Sequence, residues 1–105
     1  MVDFTVDDIL IPADHPCFEG HFPDHPVFPA VAQIDLLTDL LCQRLGQEII
    51  VTEIRKAKFP APILPNSRLR VQVHIQDNGV TWQIAVADRV CSSGWLQLQI
   101  LPGGI

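Results

Sequence analysis

The sequence predicts an α+β fold, with one helix set against a bent antiparallel sheet of about five strands. Three observations predict it. One stretch, residues 29–45, has both the length and the apolar content of a packed helix. From Leu69 onward apolar and polar residues alternate, as they do in half-buried strands. Between two such runs stands Asp77-Asn78-Gly79, a strong hairpin signal, since Asn-Gly accepts the positive φ angles of a tight turn.

Taken in order, Phe4 to Ile11 reads as a first strand, ended by Pro12. Residues 12–29 are dense in Pro, His, Asp and Gly, too irregular for a regular element, yet they hold Phe18, Phe22, Val27 and Phe28. A long ordered loop in a small domain is more often functional than decorative. Pro29 suits the first turn of a helix, where its missing N–H has no partner to lose, and Gly46 suits the position past the end. On a 3.6-residue wheel Ala30, Val31, Ile34, Leu37, Leu41, Cys42 and Leu45 share a broad face, with Leu36 and Leu40 on the other side, so the helix is expected to be largely buried. Asp35 falls at the margin of the main face. Glu48 to Phe59 reads as a strand, broken by Pro60, Pro62 and Pro65. Leu69, Val71, Val73 and Ile75 form the inner side of the next, Val80, Trp82, Ile84 and Val86 that of a third. After a turn near Asp88-Arg89, Leu96, Leu98 and Ile100 share one face of the last. The order suggests a four-strand meander after the helix and a strand before it. Periodicity is equally compatible with another α+β roll.

A chain of 105 residues has room for one domain, and residues 1–105 are expected to form it. With 48 % hydrophobic and 18 % charged residues the composition is that of a globular protein and argues against disorder. Asp35 and Asp39 interrupt the best apolar run, so no membrane span is expected. Three cysteines at unrelated spacings, and a start that lacks the pattern of a secretion signal, point to a reduced cytoplasmic protein. A net charge of -5 argues against nucleic acid as a partner. The cations are unevenly spread: none precedes Arg44, while Arg55, Lys56, Lys58, Arg68 and Arg70 crowd one stretch, which suits a locally docking anionic partner or a solvated sheet face equally well.

The run His15-Pro16-Cys17-Phe18-Glu19-Gly20-His21-Phe22-Pro23, followed by Pro26-Val27-Phe28-Pro29-Ala30-Val31 and then Asp35, resembles the beta-hydroxyacyl-acyl-carrier-protein dehydratases. That family carries a Gly-His-Phe-Pro loop, a Pro-Val-x-Pro-Gly helix entry and an acidic residue fourteen positions after the histidine, the spacing of His21 and Asp35. Lys58-Phe59 through Pro62, Pro65 and Leu69 is similar to the family's corner between two strands. The brevity and the aspartate look most like the short dehydratases of aryl polyene pathways.

The resemblance implies the hot-dog fold, a bent antiparallel sheet wrapped around one central helix. It implies a homodimer, or an assembly of dimers, in which one subunit supplies the histidine and the other the carboxylate. It also implies a lyase that converts (3R)-3-hydroxyacyl thioesters on acyl carrier protein to trans-2-enoyl thioesters, in fatty acid or aryl polyene biosynthesis, without a cofactor. Such a reaction needs a base at C2, and neutral imidazole is the side chain best suited to that near pH 7, so His21 is the expected base. Asp35 is expected to hold the 3-hydroxyl and protonate it as it leaves. The thioester oxygen gains negative charge and needs a donor in place. Pro29 has no N–H, so the family's equivalent position implies the N–H of Ala30. Phe22, Pro23, Phe28 and Val31 are expected to line the loop and acyl tunnel. The partner implied is acyl carrier protein with its phosphopantetheine-linked acyl chain, for which Arg55, Lys56, Lys58, Arg68 and Arg70 are the candidate docking cations.

His15, His21 and His25 with Asp14, Asp24 and Cys17 match no standard zinc spacing, so no metal site is expected. His15 and His25 are read as structural or loop-lining. Two other functions fit the same fold: an acyl thioesterase, and a non-catalytic acyl-binding subunit that pairs with an active paralogue. The Gly20-His21-Phe22-Pro23 motif with Asp35 argues against the first. Ala30, where the family usually has glycine, keeps the second open.

Overall fold

A computed structural model describes residues 2–18 and 26–102. The strands are β1 (Val2–Ile11), β2 (Ile49–Lys58), β3 (Ser67–Gln76), β4 (Gly79–Val86) and β5 (Arg89–Ile100), and the helix α1 is Ala30–Leu45. A single turn of 3-10 helix, Pro16–Phe18, sits in the long loop. All five strands join one antiparallel sheet in the order β1-β3-β4-β5-β2. Leu37 and Leu41 of α1, both fully buried, share a core with Phe4, Ile49, Val71, Trp82 and Leu96, one from each strand. The sheet contributes residues of all five strands to one core with the helix and is bent around it, which is the hot-dog fold. Burying each of those leucines stabilises the domain by about 1.5–3 kcal/mol.

The alternation expected for β3 and β4 is present: Leu69, Val71, Val73, Ile75, Val80, Trp82 and Ile84 are buried, with Arg70, Gln72 and Thr81 on the outer side. The hairpin differs in detail. Its two loop residues are Asp77 and Asn78, and the positive φ (57°) belongs to Asp77, as in a type II′ turn. Gly79 already lies in β4, where a Cβ would stand 2.8 Å from Nε1 of Trp95. The glycine therefore makes room for an indole and has no role in the turn's φ angles. The β4–β5 hairpin repeats the geometry, with Ala87 at φ 52° ahead of Asp88.

The meander contains three strands where four were expected. Instead of pairing with β3, β2 pairs with β5 at the far edge. The corner between β2 and β3 carries three prolines, which cannot supply hairpin N–H groups, so the chain crosses the mouth of the sheet. Asn66 fastens that corner to β1. In the left-handed region (φ 66°), it donates its N–H to Ile11 O at 2.7 Å and accepts from Ala13 N–H through Oδ1 at 3.2 Å.

The helix begins one residue later than Pro29 and is less buried than the wheel suggests. Val31 is 68 % exposed and Asp35 is exposed, whereas Gln33 is 3 % exposed. The inward line is Gln33, Leu37, Leu41, spaced by four, and the remaining apolar residues are half-covered flanks or, like Val31, free. Among the described residues no helix is long and apolar enough to cross a membrane.

Candidate active site

The start of α1, the 3-10 turn and the end of β1 enclose a cleft of about 600 Å³. Its walls include Leu10, His15, Phe28, Pro29 and Val31, so apolar surface surrounds a stretch of helix bearing two carboxylates, Asp35 and Asp39, one turn apart. The sequence builds this locally. Pro29 (φ -72°, ψ 164°) holds the incoming chain extended and has no side chain to cap the helix. The first helical N–H to find a helical acceptor is that of Gln33, bonded to Pro29 O at 3.1 Å. The N–H groups of Ala30, Val31 and Ala32 precede it and have no helical acceptor, which is the usual condition of a helix start. Phe28 is buried and donates its N–H to Ile63 O at 2.8 Å, tying the loop to the proline corner.

His15 lines the same cleft. Its Nδ1 accepts the N–H of Cys17 at 3.1 Å, so the neutral ring carries its proton on Nε2. The ring meets Phe28 edge-on, with centroids 5.3 Å apart. Cys17 is half-buried beside it, and desolvation pushes its thiol up from the ordinary value, against a backbone hydrogen bond that lowers it. A protonated thiol is a weak nucleophile, so covalent chemistry through Cys17 is disfavoured here.

The expected site residues fare unequally. Asp35, Phe28 and Val31 do come together on the cleft with Pro29, whereas Ala30 adjoins them in the chain but is not among the lining residues. His21, Phe22 and Pro23, with His25, lie outside the described residues. The expected burial of Asp35 in the margin of an apolar face is not found in the single chain, because the helix turns Gln33 inward and leaves its 31–35 side open.

The five cations do not form one patch. Arg55, Lys56 and Lys58 are on edge strand β2, while Arg68 and Arg70 are on β3, with β5 and β4 between them. Nearness in sequence across a crossing connection does not become nearness on the sheet. The arginines of both groups are paired with carboxylates, whereas Lys56 and Lys58 have no such pair among the described residues. Arg68 Nη1 meets Asp8 Oδ1 at 3.1 Å and Arg70 Nε meets Asp7 Oδ1 at 2.5 Å, which offsets both. Arg55 pairs with Glu53 at 2.9 Å and lies 5.0 Å from the Trp95 ring centroid.

Gln33 escaped the sequence reading, which placed apolar residues inside and left polar ones out. The signal was available, since Gln33 stands in line with Leu37 and Leu41 at intervals of four.

Comparison with known proteins agrees with the fold. The chain is 33 % identical over 87 residues to the 3-hydroxyacyl-[acyl-carrier-protein] dehydratase FabZ of Pasteurella multocida, covering 73 % of this chain and 57 % of that protein. The chain thus spans little more than half the length of the curated relatives it matches. Its structure is similar to that of an uncharacterized protein from Erwinia carotovora subsp. atroseptica, with a TM-score of 0.80 and 26 % identity over 96 % of this chain and 94 % of the other. The fold is also that of the dehydratase heterocomplex ApeI:P from Xenorhabdus doucetiae, with a TM-score of 0.82 and 24 % identity over 91 % and 86 %. A family model described as ApeI-like, ApeI dehydratase, matches residues 4–95, nearly the whole sheet together with the helix and the motif loop. The chain belongs to the ApeI-like dehydratase family.

Proposed function

We propose that this protein removes water from (3R)-3-hydroxyacyl thioesters carried on acyl carrier protein, giving trans-2-enoyl thioesters, with His21 and Asp35 as its acid–base pair. The observation that carries the reading is the cleft, where Asp35 and Asp39 of the helix meet apolar walls and residues that flank Gly20-His21-Phe22-Pro23 in sequence, His15 to Cys17 and Phe28 to Pro29. Family membership and the names of the relatives support it.

In this mechanism the imidazole of His21 takes the C2 proton. The electron pair forms the C2–C3 double bond as the C3–O bond breaks. The carboxyl of Asp35 protonates the departing hydroxide, so water leaves, and transfer of the proton from His21 back to Asp35 restores the starting state. Charge that gathers on the thioester oxygen is met by the N–H of Ala30. Each acid–base group is expected to contribute about 10²–10⁴-fold, and the backbone donor roughly 10²–10³-fold. The cleft lies open on the Val31 and Asp35 side, which suits a homodimer whose second subunit closes it and supplies the other half of the pair. Lys56 and Lys58 are the stronger docking candidates for the acidic carrier protein and its phosphate, since Glu53 already meets Arg55, and Asp7 and Asp8 already meet Arg70 and Arg68.

Incubation with 3-hydroxyacyl and saturated acyl thioesters on carrier protein tests the reading. Formation of the enoyl thioester is the expected result. Release of free thiol would replace the dehydratase with a thioesterase. Binding without turnover would favour a non-catalytic subunit, the reading that Ala30 in the family's glycine position supports.

A further inference from the structure

Gln33 occupies a place that ordinary packing does not explain. It is 3 % exposed, on the line of α1 that faces the sheet with Leu37 and Leu41. Its Oε1 is the one buried side-chain N or O atom without a hydrogen-bond partner among the described residues. By contrast, the other buried polar residue, Ser92, accepts from Trp82 Nε1 at 3.2 Å. A buried acceptor left unpaired costs about 1–3 kcal/mol, so a leucine or methionine would suit this core better on stability alone. The carboxamide does make one bond: its Nε2 donates to Phe28 O at 3.3 Å.

That bond falls at a telling position. Phe28 is the residue before Pro29, and Pro29 precedes the helix at the cap position with no side-chain hydrogen bond to it. Phe28 is held from one side by the Ile63 carbonyl and from the other by Gln33, while the N–H of Gln33 closes the first helical turn on Pro29 O. The peptide N–H of Ala30 lies between these anchors. With neither a capping side chain nor a proline N–H to fix the turn, the Gln33 carboxamide grips it from inside the core.

We infer that Gln33 is a positioning residue: its Nε2–H···O bond to Phe28 sets the orientation of the first helical peptides, the Ala30 N–H among them, next to the cleft walls Phe28, Pro29 and Val31, and its unpaired Oε1 is tolerated for that purpose. The inference rests on the dehydratase reading for its catalytic consequence, but its geometric content stands apart from it. Displacing a reacting group or donor by about 1 Å costs on the order of 10²-fold in rate. Gln33→Met keeps the volume, removes the bond and removes the orphaned acceptor.

The expected result for Q33M is a kcat lower by roughly ten- to a hundredfold with KM near that of the wild type and a melting temperature equal or higher. The backbone amide signals of Ala30 and Val31 should shift in the ¹H–¹⁵N spectrum, while those at the far end, Leu45 and Gly46, stay in place. Unchanged kcat alongside an active wild type overturns the inference, and so do unmoved Ala30 and Val31 signals, whatever the activity. An inactive wild type counts against the dehydratase reading, and the spectrum then decides the positioning by itself. Should Q33M fail to fold, Gln33→Glu replaces it. Its protonated acid can still donate to Phe28 O and its carboxylate cannot, so kcat relative to the wild type should rise as pH falls. A flat ratio across pH would overturn the inference.

Discussion

The two ends of α1 are built on opposite plans. At the carboxyl end Gly46 takes the left-handed conformation (φ 67°) and donates its N–H to Cys42 O at 2.9 Å, joined by Gln47 N–H to the same oxygen at 3.3 Å. Arg44 lies in the last turn, where a cation suits the dipole, and its guanidinium covers the Phe4 ring at 5.1 Å. The Cys42 carbonyl accepts both N–H groups, and the glycine turn closes the end. At the amino end a proline stands where a serine or aspartate would ordinarily cap, three N–H groups precede the first helical bond, and the first turn carries no acid. A helix finished at one end and left open at the other teaches that the open end is kept for something other than stability. That contrast can be broken or sharpened by mutation.

The largest effects should come from the open end and should fall on rate alone. His21→Ala and Asp35→Asn are each expected to lower enoyl-thioester formation by about 10²–10⁴-fold. Asp35 is exposed, so its replacement removes no packing, and thermal unfolding should move little. If D35N keeps full rate, the acid assignment is lost and with it the functional meaning of the open end. Next comes the helix's buried middle. Leu41→Ala removes a fully buried side chain and should destabilise by about 2–5 kcal/mol in denaturant titration, with turnover per folded molecule retained. The closed end is worth less. A Cβ at Gly46 meets nothing within 4 Å, so Gly46→Ala carries only the strain of the positive φ, about 1–2 kcal/mol, and kcat should not change. The smallest effect serves as a baseline. The exposed pairs of Arg68 with Asp8 and Arg70 with Asp7 are worth less than about 1 kcal/mol each, so Arg68→Gln should be nearly silent in denaturant titration and more so at high salt.

Much of this fold was legible because one side of each central strand rests on the core. Leu69 to Ile75 and Val80 to Ile84 announce themselves by alternation alone. Gly46 and Pro29 likewise bounded the helix to within a residue. What could not be read follows from long-range geometry. Nothing in the text of residues 49–58 distinguishes a strand beside β3 from one beside β5, because pairing partners are chosen by the path of the proline corner. Proximity in sequence misleads for the cations in the same way, since Lys58 and Arg68 flank that corner and end on different strands. Within the candidate site, Asp35, Phe28 and Val31 were placed by motif spacing. Gln33 was passed over because polarity was taken for exposure, although its interval from Leu37 and Leu41 pointed inward.

Strand β1 carries a last consequence. Val6 faces Val71 and Ile9 faces Leu69, so three steps along β1 match two along β3, with Asp8 at φ 63° absorbing the difference. Before the irregularity even-numbered residues look inward, and after it odd-numbered ones do: Phe4 is buried on one side of it and Ile11 on the other. Without the bulge, strict alternation of the same sequence would aim Asp8 at the hydrophobic interior and Ile11 at water. A single supernumerary amino acid thus works as a phase shifter, letting one ribbon keep Asp3, Asp7 and Asp8 toward the solvent and Phe4, Val6, Ile9 and Ile11 toward the core.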